Sequence, residues 1–527
     1  MIKLQERILI LGAAQMQEPA LRAANALGLE TIAADGNTNA PFAGLAARFF
    51  PIDLKDKESL LHLAMRLRDE PGGLSAVFTA GTDFSATVAY ITEALGLPGN
   101  TYETALNTTD KARMRAVFDT HGVPSPRFIR VTNGEKLQPH FDFPVVVKPV
   151  DNMGARGCRK VCSSAELRPA VEDALAFSRS GAAIIEEYMD GPEYSIDSVV
   201  YQNKIYITGI ADRHIFFPPY FIEMGHTLPA RIAEPDITAL LAVFKKGIHA
   251  LGIQSGCAKG DMKLTARGPM IGEIASRLSG GYMSGWTYPY ASGAELTKAA
   301  ILAALGRPIT EIEAALAVKC NNVSAERAFI SIPGTVHAIY GIEEAQKSAY
   351  IKNIFFRISQ KDNVEFPVNN VTKCGNVISS AAEWDTAASA AENAVRAVLI
   401  SLQCPNQRTE EFLYNTKNDT YPPDAFTLTP ALRAELDLLP HSCIPAKCDA
   451  ALVTVHPFAG LQESGIADWH GRTADESVAA ARVVTKLPLP VAKTGEQAHL
   501  GREFWQALVR GGYQGAAYYV EKYTGNH

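Results

Sequence analysis

The sequence predicts an α/β unit followed by α+β units, and three stretches carry that prediction. Strand-like and helix-like segments alternate through residues 1–110, the order that builds a small doubly wound parallel sheet. Cys257–Leu264 and the run beginning at Met270 both alternate like strands, and Thr265–Pro269 between them is turn chemistry, so the three read as a hairpin. Beyond residue 325 come short strand-like runs, an alanine-rich helix and a mixed tail, which is an α+β pattern.

Composition bounds the answer. A chain of 527 residues suggests roughly three to four domains. Hydrophobic content of 47% with 20% charged residues describes an ordinary soluble globular protein. A net charge of −6 argues against a generic nucleic-acid or membrane-surface binder. No run reaches the ~18 apolar residues of a membrane span. Ile8–Leu11 is too short for a secretory signal, and Glu6 precedes it. The eight cysteines include no CxxC pair, so neither a zinc site nor a disulfide framework is expected. The close pairs, Cys158 with Cys162 and Cys443 with Cys448, read as reduced thiols of a cytoplasmic protein.

In chain order, Arg7–Leu11 is an apolar strand, Gly12-Ala13-Ala14 a tight turn, and Glu18–Leu27 a helix stopped by Gly28. Leu29–Ala34 is the next strand, and Leu74–Phe78 a later one followed by Thr79–Asp83 and a helix to Gly96. Gly12 and Asp35 have the spacing of a dinucleotide site, but the GxGxxG fingerprint is absent, so a substrate-binding or structural domain is expected instead. Thr109-Asp110-Lys111 opens an amphipathic helix to His121. Phe143–Pro149 then puts Lys148 at the end of a wholly apolar strand, where a cation needs an anionic partner. The next loop, Asp151–Gly157, has glycines and backbone donors suited to phosphates, although no Walker motif is present.

Ala183–Met189 is a strand that delivers Glu186 and Glu187, and the turn Asp190–Pro192 leads to Glu193. In the hairpin, pairing Leu264 with Met270 sets Asp261 opposite Glu273. Cross-strand neighbours stand about 5 Å apart, and like charges there repel. A divalent cation would relieve them, since hard carboxylate oxygens suit magnesium shared with phosphates; Lys259 and Lys263 are the alternative source of relief. Glu273 and Arg277 would sit about 13 Å apart if extended, close enough to flank a long anion. Gly280-Gly281 suggests a close backbone approach or a loop.

These residues carry a resemblance. Lys111, VVVKP at Val145–Pro149, the loop Asp151–Val161, IEEYMDGPEYSID at Ile185–Asp197 and GEIASR at Gly272–Arg277 together resemble the ATP-grasp superfamily. The likeness covers Lys111–Gly281, about a third of the chain. It implies a Rossmann-like domain at 1–110 before a two-subdomain grasp fold at 111–325, divided into 111–184 and 185–325. It further implies ATP with magnesium, or manganese in its place. Lys111 and Lys148 would contact phosphates, with Gly154, Arg156 and Gly157 in the loop above them. Glu186, Glu187 and Met189 resemble the adenine hinge, Glu193 the ribose-binding acid, Asp261 and Glu273 the metal ligands, and Arg277 the arginine that steadies the transferring phosphoryl group. Where many relatives carry an asparagine, two residues after Glu273, this chain has Ala275.

The Glu-Ile-Ala-Ser-Arg version is most similar to carboxylate–amine ligases that join amino acids, which implies small-molecule acid and amine substrates, acyl-phosphate chemistry and a homodimer. Carbamoyl-phosphate or purine-pathway chemistry, and a non-catalytic nucleotide-binding protein, are the alternatives. Asp212–Arg231, rich in aromatics and proline, reads as an irregular segment, and its Glu223 and His226 are the candidate substrate contacts. Residues 326–403 resemble the small β-rich cap of carboxylase-like members. Residues 404–423 read as a linker, and 424–527 as an added α+β region without a recognised motif.

Overall fold

A computed structural model describes residues 5–133, 139–317, 321–415, 421–444, 453–489 and 498–524. The chain forms two compact units. The first comprises Met1–Ile215, Gly225–Glu326 and Ser380–Ala387, and the second Phe216–Met224, Arg327–Ser379 and Ala388–His527.

The first unit opens with β1 (Arg7–Leu11), α1 (Glu18–Ala26), β2 (Glu30–Ala34), β3 (Arg48–Phe50), α2 (Lys57–Asp69), β4 (Ala76–Phe78) and α3 (Ser85–Leu95). Its strands pair in parallel in the order β3-β2-β1-β4, as the alternating pattern predicts. The glycine turn after β1 is already filled. A Cβ on Gly12 would stand 2.7 Å from the buried Gln17 side chain, and Asp35 accepts the amide hydrogen of Ala13 at 2.8 Å. Gly12 and Asp35 therefore shape their own loop.

Next come α4 (Tyr102–Thr109), α5 (Lys111–Thr120), β5 (Phe128–Thr132), β6 (Val145–Pro149), β7 (Arg159–Val161), α6 (Ser164–Phe177) and β8 (Ala182–Glu187). Asp110 caps α5 by accepting from the amides of Ala112 and Arg113, the bonding a short acid supplies at a helix start. The four strands form an antiparallel sheet ordered β5-β8-β6-β7.

The remaining strands of interest are β9 (Glu193–Tyr201), β10 (Lys204–Phe216), β11 (Ile222–Leu228), β12 (Ser255–Thr265) and β13 (Gly268–Ala275), with helix α7 (Glu234–Leu251) between β11 and β12. Strands β13, β12, β9 and β10 are antiparallel neighbours in that order. One face of this sheet is apolar: Tyr194, Ile196, Met262, Ile271 and Ile274 pack on Met114 and Phe118 of α5 and on Phe244 and Ile248 of α7. Two glycines bring the layers together, because a Cβ on Gly260 would lie 2.5 Å from Phe244 and one on Gly247 2.5 Å from Ile271.

Asp212–Arg231 departs from expectation. It contains the end of β10 and all of β11 rather than irregular chain. Its prolines misled the pattern: Pro218 and Pro219 lie in the turn and Pro229 just past β11, where no ladder amide is required.

The second unit has its own sheet of Gly334–Tyr340 between Asn363–Val364 and Leu399–Leu402. The alanine-rich helix, which the sequence pattern extends over Thr386–Ser401, ends at Ala397, and Leu399–Leu402 is a strand. Gln407–Tyr414, expected within a linker, is a helix capped by Asn406. In the tail, Thr429–Leu438 and Asp475–Thr485 read as helices from the sequence, and the helices found are Pro430–Leu438 and Ala474–Thr485. Phe504–Arg510 reads as a helix from the sequence, and the helix found, Arg502–Thr524, is longer and kinks at Gly512. The strand expected at Ala451–Val455 begins outside the described residues, as does Cys448. All six described cysteines are free thiols, and no helix among the described residues is long and apolar enough to cross a membrane.

The close fit beneath the sheet is testable. Gly260→Ala should force Phe244, which is fully buried, out of place and cost about 1–3 kcal/mol. A thermal midpoint equal to that of the parent would show that the helix can move aside freely.

Candidate active site

Side chains of a strand alternate between faces, and directly paired residues share one. Here Asp261 pairs with Glu273 on one side and Ser195 on the other. Lys259 pairs with Ala275 and Asp197, Lys263 with Glu193, and Glu193 with Arg213. The face opposite the apolar core is thus a charged floor of Glu193, Asp197, Asp261 and Glu273 with Lys259, Lys263 and Arg213.

The pairing of Asp261 with Glu273 agrees with the sequence reading, but the route to it differs. Leu264 pairs with Pro269 and Lys263 with Met270, and a bulge between Met262 and Asp261 restores the register. Gly272 is the extra residue. Its carbonyl accepts a hydrogen bond from Arg115 Nη2.

Ion pairs organise the floor. Arg213 Nη1 lies 2.9 Å from Asp261 Oδ1 and also contacts Glu193. Lys259 Nζ contacts the other Asp261 oxygen, and Lys263 Nζ is 3.6 Å from Glu193. Lys111 Nζ stands 3.5 Å from Glu273 Oε2 and donates to the Asn152 carbonyl at 2.9 Å. It therefore ties the glycine loop to the charged floor. Burial alone would push Glu273 up, but the charges of Lys111, Lys259, Lys148 and Arg277 outweigh it and bring its pKa down to about 2. Burial pulls Lys111 down, and Glu273, Asp83 and Glu186 more than restore it.

Lys148 has the anionic partner that its apolar strand demanded. Its Nζ is 2.6 Å from Glu186 Oε2, and Arg115 Nε is 2.9 Å from Glu186 Oε1. Arg115 and Glu186 are essentially inaccessible. Desolvation pushes Glu186 up, and the two cations hold it below its ordinary range all the same. The Glu186 carboxylate, expected at an adenine hinge, is thus committed to positioning Lys148. Glu187 is held between Arg127 and Arg267, and Met189 lies half-buried nearby. In the glycine loop, Gly154, Ala155 and Gly157 all adopt positive φ, and Arg156 Nε donates to the Met153 carbonyl at 3.0 Å.

Arg277 lies on a loop clamped from two sides. Buried Asp197 accepts from Ser279 Oγ at 2.8 Å, from its amide at 3.2 Å, and from Ser284 Oγ at 2.6 Å. From above, the loop after β4 meets it backbone to backbone: a Cβ on Gly280 would lie 3.0 Å from the Gly81 carbonyl. That is the close approach suggested by Gly280-Gly281. Asp83, two residues further along the same loop, faces Arg277, Lys111 and Glu273. Its carboxyl is pushed up by burial against the pull of Arg277 and Lys111.

Glu223 and His226 both lie in β11, and three residues apart on a strand their side chains leave on opposite faces. Glu223 belongs to the second unit, where its amide donates to Asn370 and its carbonyl accepts from Lys373. His226 belongs to the first unit and is fully buried, 2.9 Å from Thr287 Oγ1 and 3.3 Å from Glu326. Sequence reading missed Arg115, Arg213, Asp83 and Asp197 as parts of the site. Arg115 was within reach, because it lies four residues after Lys111 on one helix face.

No group of three or more His, Cys, Asp or Glu side chains converges as a metal cage among the described residues. Asp261 and Glu273, cross-strand neighbours now paired to Arg213, Lys259 and Lys111, are the carboxylates whose chemistry fits a hard divalent cation, magnesium or manganese.

This arrangement has known counterparts. Residues 141–285 match the ATP-grasp domain family, and residues 328–403 match L-amino acid ligase C-terminal domain 2. The chain therefore carries an ATP-grasp domain joined to an L-amino acid ligase C-terminal domain. It is 26% identical over 178 residues to carnosine synthase 1 of Gallus gallus, covering 32% of this chain and 19% of that protein. It is 29% identical over 205 residues to D-alanine–D-alanine ligase of Marinobacter nauticus, covering 36% of this chain and 61% of that one. The chain spans less than two thirds of the length of these curated relatives. An L-amino acid ligase structure from Bacillus licheniformis shares the fold with a TM-score of 0.66 at 21% identity, covering 76% of this chain and all of that one.

The depressed Glu273 carboxyl yields a pH prediction. A folded pKa of about 2 against an ordinary 4.5 stabilises the fold fully above the ordinary value and is lost as pH falls through the folded one. The gap in thermal midpoint between the parent and Glu273→Gln should therefore close between those two values. A gap independent of pH would contradict the ion-pair account.

Proposed function

We propose that this chain is an ATP-dependent carboxylate–amine ligase that forms an amide or peptide bond through an acyl phosphate, releasing ADP and phosphate. One observation carries the reading: Lys111 joins the glycine loop to Glu273, on the same charged floor from which the Arg277 loop leads. Phosphate-binding loop, carboxylate pair and arginine thus converge on one locus.

In this reading Lys111, Lys148 and the loop with Gly154, Arg156 and Gly157 grip the triphosphate. The backbone at Glu187–Met189 borders the base, Glu193 the ribose. Asp261 and Glu273 would hold magnesium, which neutralises charge on the phosphates. A substrate carboxylate oxygen attacks the γ-phosphorus as the bond to the β-phosphate oxygen breaks, and ADP leaves. The amine then attacks the acyl carbon, phosphate departs, and the amine proton passes to solvent. Arg277 offsets charge on the transferring group, and the chain's main contribution is alignment and exclusion of water. Amino acids are the proposed substrates, and a cytoplasmic homodimer fits the same reading. His226, being buried, would act on a substrate only through its neighbours.

Pairwise screening of amino acids for phosphate release, with mass spectrometry of products and chromatography of nucleotides, tests the proposal. ADP should be the nucleotide product; AMP with pyrophosphate would contradict the mechanism. Arg277→Ala should lower turnover on the order of 10³-fold while leaving ATP binding largely intact. A variant keeping more than about a tenth of the activity would remove Arg277 from the role assigned here on those grounds.

A further inference from the structure

Past Arg277 the charged floor gives way to a cavity. Along β12 and β13 the Asp261/Glu273 pair is followed by Lys259 beside Ala275, and two residues further on stand Cys257 and Arg277. Cys257 shares its face of β12 with Lys259 and Asp261, since side chains two apart on a strand point the same way. There it joins the buried cluster that holds Val199 and Ala300, the latter on helix Leu296–Ala304. Between that helix, α3 and the start of β12 lies a partly open cavity of about 70 Å³, with Arg277 on its wall. Every lining residue belongs to the first unit.

The walls offer little but apolar surface, from Val77, Val88, Ala89, Leu278, Ala300 and Ala304. Their polar neighbours are engaged elsewhere. Thr79 Oγ1 donates to the Leu11 carbonyl and Thr92 Oγ1 to the Ala89 carbonyl, while the Asn100 amide bonds the backbone of Gln254 and Ser255. Ser276 Oγ is 2.7 Å from Thr108 Oγ1. Arg277 is the exception. Its Nη1 donates to the Leu278 carbonyl, but its Nε is inaccessible and has no hydrogen-bond partner among the described residues. A buried donor left in that state is costly, and a carboxylate oxygen at the rim would satisfy it. An apolar cavity with one cationic donor at its edge suits a group that is anionic at one end and aliphatic at the other.

We propose that this cavity holds the side chain of the acid substrate and so selects amino acids with a small aliphatic side chain such as valine. The inference rests on the ligase reading, in which Arg277 meets the acyl phosphate. The carbon chain of that acyl group then runs past Arg277, away from Asp261 and Glu273. At about 70 Å³ the space is roughly half of the ~150 Å³ that admits benzene, enough for about three carbons. An aromatic side chain is too large, and glycine leaves the cavity empty.

The test offers the parent, Ala304→Leu and Val88→Ala an equimolar mixture of the common L-amino acids with ATP and magnesium. ADP is measured, and the dipeptides are sequenced by tandem mass spectrometry. With the parent, valine should exceed both glycine and phenylalanine by about tenfold or more as the first residue of the product, the residue that supplied the acid. Ala304→Leu fills the cavity and should move the first residue toward alanine and glycine. Val88→Ala enlarges it and should move the first residue toward leucine and phenylalanine. If Ala304→Leu loses its cooperative thermal transition, Val88→Ala decides alone. First residues without aliphatic enrichment, enrichment only at the second position, or a preference that the folded variants leave unmoved would overturn the inference. Should the parent form no ADP, the ligase reading fails. Calorimetric titration of valine with ADP and magnesium present then judges the cavity: valine must bind the parent, and bind Ala304→Leu, or Val88→Ala in its place, more weakly. Equal binding, or none, counts against it.

Discussion

The site depends on one extra residue in β13. From the turn upward, the hairpin pairs Thr265 with Gly268 and Lys263 with Met270. If that register continued, Asp261 would face Gly272, and Glu273 would point into the apolar layer beside Phe244 and Ile248. A slip of one residue moves every side chain of a strand to the other face. The bulge at Gly272 absorbs the slip, so Ile271 and Ile274 both reach the core while Glu273 stays with Asp261. The spare carbonyl at the bulge is not left idle, because Arg115 bonds to it.

The same arginine explains how cations persist in the interior beside the charged floor. Arg115, Glu186 and Lys148 form a buried triad in which one carboxylate serves two cations. Such triads are weak sources of net stability, yet losing one member leaves an uncompensated charge in the interior. Their value here is geometric. Lys148 cannot wander from its strand, and α5, the end of β8 and the bulge in β13 are joined through the Arg115 guanidinium. Lys111, one turn before Arg115 on α5, makes the outer version of that link between Glu273 and the glycine loop.

Much of this was legible in the sequence, for identifiable reasons. The alternating β and α units, the VVVKP strand, the glycine loop and the acid pair are local patterns, and local patterns survive folding when period and turn chemistry agree. The demand that Lys148 have an anionic partner followed from its apolar neighbours alone. What the sequence withheld was long-range or irregular. No local signal marks a bulge that shifts a register, so Asp261 reached Glu273 by a path that the pattern did not contain. The prolines of Asp212–Arg231 looked like disorder of pattern when they in fact flank a strand. His226 looked available for substrate because nothing nearby in sequence predicts its burial against Thr287 and Glu326. Asp197 read as one more residue of an alternating strand, and only the fold returns Ser279 and Ser284 to it.

That last contact bears on the role proposed for Arg277. Arg277 is exposed to solvent only in part, and its side chain donates to the Leu278 carbonyl at 3.1 Å. Its placement must come from what holds the loop. Two buried polar chains end on the short π-helical turn Met283–Thr287 that follows it: Asp197 through Ser284, and Glu326 with His226 through Thr287. A wider turn of this kind inserts a residue into the helical ladder and is often found where function fixes a backbone shape. With Asp197 below, the Gly81 loop above and the π-turn behind, the loop has little freedom to shift. An arginine that acts on developing charge loses most of its effect when displaced by an ångström, so in the proposed reaction these buried acids would act through the loop, without touching a reactant.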